Sequence, residues 1–139
     1  MTKFHATSVA IDGKGLLIFG SPGAGKSDLA LRLIDRGALL ISDDYTKVSA
    51  DQGNLFAHTP KTIAGLIEVR GIGLVTLDHV ENIPIRLVVN LVDIEKVPRL
   101  PDPETKEIVG VALPLLHLNG KEPSAPIKVE LALRQQQDG

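Results

Sequence analysis

Apolar residues fall in short blocks broken by glycines, prolines and acidic turns, a rhythm of buried strands more than of long helices. The mixed β-formers from Phe4 to Ile11 stop at Asp12-Gly13-Lys14-Gly15, and Leu16-Leu17-Ile18-Phe19 follows, so the pattern predicts a hairpin feeding a buried strand. From Ser27, Leu29, Ala30, Leu33 and Ile34 recur at helical spacing until Gly37, which predicts a helix with a glycine stop. Ala38-Leu39-Leu40-Ile41 is too short for a helix and reads as a second buried strand ending at Asp43-Asp44. Val48 and Leu55-Phe56 flank a turn at Asp51-Gln52-Gly53-Asn54, another hairpin, and Pro60 to Ala64 can hold one helical turn. Between Leu66 and Leu77, β-branched residues surround Gly71 and Gly73, which marks a bend or a close backbone approach. Residues 85–92, IRLVVNLV, form the clearest long strand. The proline-interrupted stretch 97–126 reads mostly as loop, IKVELAL at 127–133 alternates like a strand, and Gln135 to Gly139 reads as a disordered tail. One domain is expected over residues 1–134, of α/β class and rich in strands, with no internal repeat.

Composition narrows the function classes. At 139 residues the chain is long enough for a core that buries roughly two-thirds of its unfolded surface. A net charge of −2 with 3% aromatic residues offers neither a basic field nor stacking platforms, so no nucleic-acid partner is expected. With no cysteine, disulfide frameworks, thiolate zinc sites and a cysteine nucleophile are excluded. No apolar run approaches the roughly 18 residues of a membrane span, and the start lacks a basic segment followed by a long apolar one. The expectation is a cytoplasmic protein with no membrane partner.

The chemistry concentrates at Gly20-Ser21-Pro22-Gly23-Ala24-Gly25-Lys26-Ser27, which matches the phosphate-binding pattern G-x-x-x-x-G-K-[ST] between an expected strand and an expected helix. Such glycines let successive backbone N–H groups and a helix start face phosphate oxygens, while Lys26 neutralises the β/γ-phosphates and the Ser27 hydroxyl reaches Mg²⁺. The bland alternative is a flexible glycine turn. Asp43 and Asp44, at the end of the next strand, either divide metal and base duties or form an ordinary solvated turn. His5, alone in an early strand, reads by position as structural. Glu68 and Arg70 either project together toward a metal-phosphate site or form a surface ion pair. His58, His79 and His117 show no metal-ligand spacing.

Four separated segments, KFHATSVAIDGKGLLI, GSPGAGKSDLALRLIDRG, LLISDD and LIEVRGIG, together resemble the catalytic domain of HPr kinase/phosphorylase, a bacterial enzyme of the phosphotransferase system. With IRLVVNLV and the later PRL, the resemblance covers residues from about 4 to 100, and more weakly to about 133. It implies a fold of that catalytic-domain type with a phosphate-binding loop, ATP and Mg²⁺ as cofactors, and HPr or an HPr-like phosphocarrier as partner. Carried onto this chain, it makes His5, Lys26, Asp44 and Arg99 active-site residues, Asp44 being the base toward the substrate serine. Ser27 and Glu68 become the Mg²⁺ ligands, Asp43 is secondary, and Ile67, Glu68, Val69, Arg70, Gly71, Ile72 and Gly73 fall in the catalytic signature.

The departures qualify what carries over. The resemblance is expected to be to a short form, without the family's N-terminal domain and C-terminal helices, and the family's glycine-rich loop is replaced by the shorter Asp78-His79-Val80-Glu81-Asn82-Ile83-Pro84. Where the family carries a Pro- and Arg-rich segment linked to phosphorolysis, this chain has HLNGKEPSAPIKV, with Lys121 and Lys128 but no arginine. The resemblance therefore supports the kinase reaction more firmly than phosphorolysis, and a homo-oligomer stays an option. A nucleotide-sensing module without catalysis and a small-molecule kinase are the alternative readings.

Overall fold

The computed structural model describes residues 1–137. In chain order its first half holds β1 (Thr2–Phe4), β2 (Thr7–Ile11), β3 (Lys14–Gly20), α1 (Lys26–Asp35), β4 (Leu39–Ser42), β5 (Thr46–Asp51) and β6 (Asn54–His58). The second half holds β7 (Leu66–Val69), β8 (Gly73–Thr76), β9 (Ile83–Leu91), β10 (Glu104–Ile108), β11 (Val111–Leu118) and α2 (Ala125–Gln137). Single 3₁₀ turns lie at Lys61–Ile63, within the predicted helical turn, and at Ile94–Lys96. This is the β-rich α/β class expected from the sequence.

Local turn chemistry explains much of the order. Asp12-Gly13, Gln52-Gly53 and Val109-Gly110 hold positive φ at both positions, so each closes a hairpin with the twist that paired strands prefer. The principal sheet runs β1-β5-β6-β9-β3-β2-β4, with β11 added in parallel along the end of β9 and β10 outside it. The strand β9 therefore forks: Ile83 and Pro84 pair with β6, Val88 to Leu91 pair with β11, and β3 runs parallel along its other edge. Pairing passes from Gly15–Ile85 to Leu16–Leu87 and skips Arg86. That bulge sends Ile85 to one face of the sheet and Leu87 to the other.

Each face has its own core. Leu16, Ile18, Leu87 and Val89 pack with Leu29 and Leu33 of α1 and with Val129 and Leu133 of α2, whereas Leu17, Ile85 and Val88 pack with Val48, Leu55, Ile108 and Leu113. The helix α1 stops as its glycine predicts: Gly37 sits at φ 111, and the N–H groups of Ala38 and Gly37 donate to Leu33 and Ile34 carbonyls at 3.0 Å each.

Three expectations change. Residues 127–133 are helical and not a strand, because α2 starts at Ala125, with the Lys128 N–H donating to the Ser124 carbonyl at 2.9 Å. Residues 135–137 continue that helix where a disordered tail was expected, and 138–139 lie outside the described residues. The stretch 97–126 is not mostly loop, since it contains β10 and β11. Pro114 is tolerated in β11 because pairing with β9 begins only at Leu115, leaving no ladder partner on that side for the missing N–H. Among the described residues no helix is long and apolar enough to cross a membrane.

Candidate functional site

The strands β3, β9 and β11 are parallel, and β4, antiparallel to β2 like β3, runs the same way, so all four carboxyl ends meet along one edge. Ligand sites of α/β proteins form at such an edge. The segment Gly20 to Gly25 leaves β3 there and enters α1. Gly23 and Gly25 hold φ of 83 and 98, a region that costs any residue with a Cβ, and Gly25 caps α1 with no side-chain bond to its first N–H groups. A Cβ on Gly20 would come within 3.0 Å of the Ala24 Cβ and 3.1 Å of the Leu91 Cβ. The Lys26 Nζ folds back over this loop and donates to the Gly20 carbonyl at 2.8 Å and that of Ser21 at 3.4 Å.

The adjacent aspartates occupy opposite environments. Asp43 is 6% exposed, and its Oδ1 accepts from the hydroxyls of Thr7 at 3.0 Å and Ser27 at 2.7 Å, its Oδ2 from the Glu68 N–H at 3.1 Å. One carboxylate thus ties together β2, α1, β4 and β7. The Asp44 backbone sits at φ 69, which turns its side chain outward; the carboxylate is 62% exposed and meets the His5 Nε2 at 2.8 Å. His5 occupies the corner between β1 and β2, and its ring lies 5.1 Å from that of Tyr45 at an interplanar angle of 33°, with the Lys3 Nζ 4.7 Å above the Tyr45 ring. Sequence reasoning missed Thr7 and Tyr45; a threonine inside the apolar run ATSVAI was the available signal for the first.

The signature segment is a hairpin. Ile67 is a buried anchor of β7 while Glu68 is exposed, and the Ile72 N–H closes the turn onto the Val69 carbonyl at 2.9 Å, with Gly71 at φ 91. Arg70, Gly71, Ile72 and Gly73 form its exposed end. His5, Ser27, Asp43, Asp44 and the Glu68 backbone are therefore joined in one network, with Lys26 on the adjoining loop. Arg99 is exposed, and among the described residues no hydrogen bond or ion pair connects it to that network. His58, His79 and His117 stay outside it: His58 bridges Ser49 at 2.8 Å and Glu81 at 2.9 Å, and His117 meets Glu104 at 3.3 Å.

Among the described residues no three acidic or histidine side chains converge as a metal cage. The donor set of a serine hydroxyl and one or two carboxylates still suits Mg²⁺, which takes few protein ligands and completes its shell with phosphate oxygens and water.

These features define an α/β protein whose ligand-facing edge combines a glycine loop, a lysine and one exposed carboxylate beside a buried one. The family model described as the HPr serine kinase C-terminal domain matches residues 1–135, and the chain belongs to that family. HPr kinase/phosphorylase of Clostridium botulinum (strain Eklund 17B / Type B) is 45% identical over 74 residues, 53% of this chain and 24% of the relative. That of Mycoplasmopsis pulmonis is 40% identical over 101 residues, 68% of this chain and 33% of the relative. The aligned stretches thus span about a quarter to a third of those curated relatives. The solved structure of the Hpr(Ser) kinase/phosphatase from Coxiella burnetii superposes with a TM-score of 0.86 at 30% identity, covering 99% of this chain and 91% of that one.

Proposed function

We propose that this chain is an ATP- and Mg²⁺-dependent protein serine kinase acting on HPr or an HPr-like phosphocarrier in the cytoplasm. The observation that carries the reading is the division between the two aspartates: Asp44 is exposed and hydrogen-bonded to His5, while Asp43 is buried and bonded to Ser27 beside the glycine loop. Loop N–H groups and Lys26 cradle the donor's β- and γ-phosphates. Asp44 takes the proton from the serine hydroxyl, the serine oxygen forms a bond to the γ-phosphorus, and the bond to the β-phosphate oxygen breaks, releasing ADP. His5 orients the Asp44 carboxylate through its 2.8 Å contact. Ser27, with Glu68 across the edge, would hold Mg²⁺, which when bound neutralises charge on the phosphates. Arg99, on the exposed segment beyond Ile94–Lys96, is assigned to charge on the transferring phosphoryl group, as the family resemblance implies.

Incubation of the purified chain with Mg²⁺-ATP and HPr, read by intact-protein mass, tests this. One phosphate should appear on HPr, and Lys26→Ala should slow transfer by about a hundredfold or more. Adding inorganic phosphate to the phosphorylated product then tests for phosphorolysis. Nucleotide binding with no transfer to HPr would refute the kinase reading.

A further inference from the structure

The Asp44 carboxylate owes its direction to a tight turn. Asp44 sits at φ 69 in the middle of three residues that the Tyr45 N–H closes onto the Asp43 carbonyl at 2.8 Å. A turn of this kind is rare and strained, and it persists only where the surrounding structure over-determines it. Here the Asp44 N–H donates to the Thr7 hydroxyl oxygen at 3.4 Å, and the Ser42 hydroxyl donates to the Tyr45 carbonyl. The backbone on both sides of the carboxylate is thereby clamped.

The carboxylate itself is held less firmly. It is 62% exposed, and His5, its one side-chain partner among the described residues, is 51% exposed. An exposed pair keeps no fixed geometry by itself, because each side chain retains its rotamers and water competes for the contact. Tyr45 supplies the missing constraint. The strand β1 pairs with β5 as far as Phe4 and Thr46, so the next step of the same register sets His5 beside Tyr45. Their ring centroids are 5.1 Å apart, within the range of favourable aromatic pairs, and the planes are tilted by 33°. The Lys3 ammonium of β1 lies 4.7 Å from the centroid of the Tyr45 ring and holds that ring in turn. Among the described residues the Tyr45 hydroxyl makes no hydrogen bond, so the aromatic face and not the polar tip is what the arrangement uses.

We infer that Tyr45 is a positioning residue for the phosphoryl transfer: its ring backs the His5 imidazole, which in turn keeps the Asp44 carboxylate aimed at the hydroxyl whose proton it takes. The assignment rests on the kinase reading for the duty of Asp44, but not for the stacking of Tyr45 on His5. It adds a side chain that acts through His5 and touches neither donor nor acceptor.

The chain labelled with ¹⁵N-histidine, observed by NMR at about pH 8, where an imidazole is ordinarily neutral, reads the contact without any turnover. In the wild type His5 should give a single Nε2–H tautomer, because the carboxylate accepts from that nitrogen. Tyr45→Ala should turn it into a mixture of tautomers, and Tyr45→Phe should keep it single. With HPr and Mg²⁺-ATP, Tyr45→Ala should lower kcat by about tenfold while the KM for ATP stays within about twofold of wild type, and Tyr45→Phe should recover most of that loss. In a His5→Ala background, Tyr45→Ala should cost nothing more. An unchanged His5 tautomer in Tyr45→Ala, an unchanged kcat, or the full loss repeated in the His5→Ala background overturns the assignment. A wild-type chain with this spectral profile that transfers nothing to HPr overturns the kinase reading and leaves Tyr45 as the residue that holds His5.

Discussion

Neighbouring carboxylates at 43 and 44 have the same chemistry and different consequences, because the turn after β4 buries one and exposes the other. Replacing Asp43 by asparagine sets an amide NH₂ against a pocket that offers only donors, from Thr7, Ser27 and the Glu68 backbone. The loss should be about 2 kcal/mol of stability, read as a melting temperature several degrees lower. Asp44→Asn should change stability by no more than about 0.5 kcal/mol, since the group is 62% exposed and asparagine tolerates its φ of 69. The same substitution should abolish phosphate transfer while ATP affinity persists; transfer at the wild-type rate would refute the base assignment. Both aspartates were legible in the sequence as the end of an apolar run. Which one is buried was not, because that depends on Thr7, brought alongside by the β2–β4 pairing, and on Glu68, whose hairpin is docked on the core through Ile67 and not by pairing with the main sheet.

At the scale of elements, local signals served best where turn chemistry and a single period agreed, as in β2–β3, α1 and β9. They failed at 125–137, where Ile127, Val129, Leu131 and Leu133 satisfy a period of two as well as part of a helical one. The start signal was present in Ser124 and in Pro126 within the first turn, where a missing N–H is harmless. The helix splits the four apolar residues that a strand would place on one face. Val129 and Leu133 are buried against the core, while Ile127 and Leu131 are 44% and 50% exposed. Leu133→Ala should therefore cost about 3 kcal/mol and Leu131→Ala less than about 0.5 kcal/mol, measured as urea midpoints. Equal losses would contradict the helical packing. The strands β10 and β11 escaped notice for a different reason: four of the five β10 residues are exposed polar ones, and Pro114 interrupts β11 at a position that needs no donor.

For the molecule as a whole, the candidate site's edge exists only because β4, β3, β9 and β11 end together, and no local pattern announces that β9 lies between β3 and both β6 and β11. The helices must also hold the connection after β11 in place, since it lies against the glycine loop, where a Cβ on Gly120 would meet the Ala24 carbonyl oxygen at 2.8 Å. Two links do this. Arg36, at the end of α1, grips Glu130 of α2 through both carboxylate oxygens, and that hydrogen bonding, with the carboxylate charge, raises the guanidinium pKa further above its ordinary value. The Arg36 side chain of this pair is exposed while Glu130 is partly covered, so water screens it from the arginine side. Arg32 is the stronger link, because it supplies a charged donor to the buried Gly120 carbonyl and to that of Glu122, one turn before α2. Arg32→Met keeps the apolar stem and removes both donors, leaving a buried carbonyl without a partner at a cost of about 2 kcal/mol. Because that cost falls on the junction between α2 and the remainder, it should appear first as local opening. Hydrogen exchange should quicken in α2 amides while those of β3 and β9, the central parallel pair, keep their protection. Equal acceleration in all three would mean that α2 and the sheet unfold as one unit and that Arg32 acts on global stability alone.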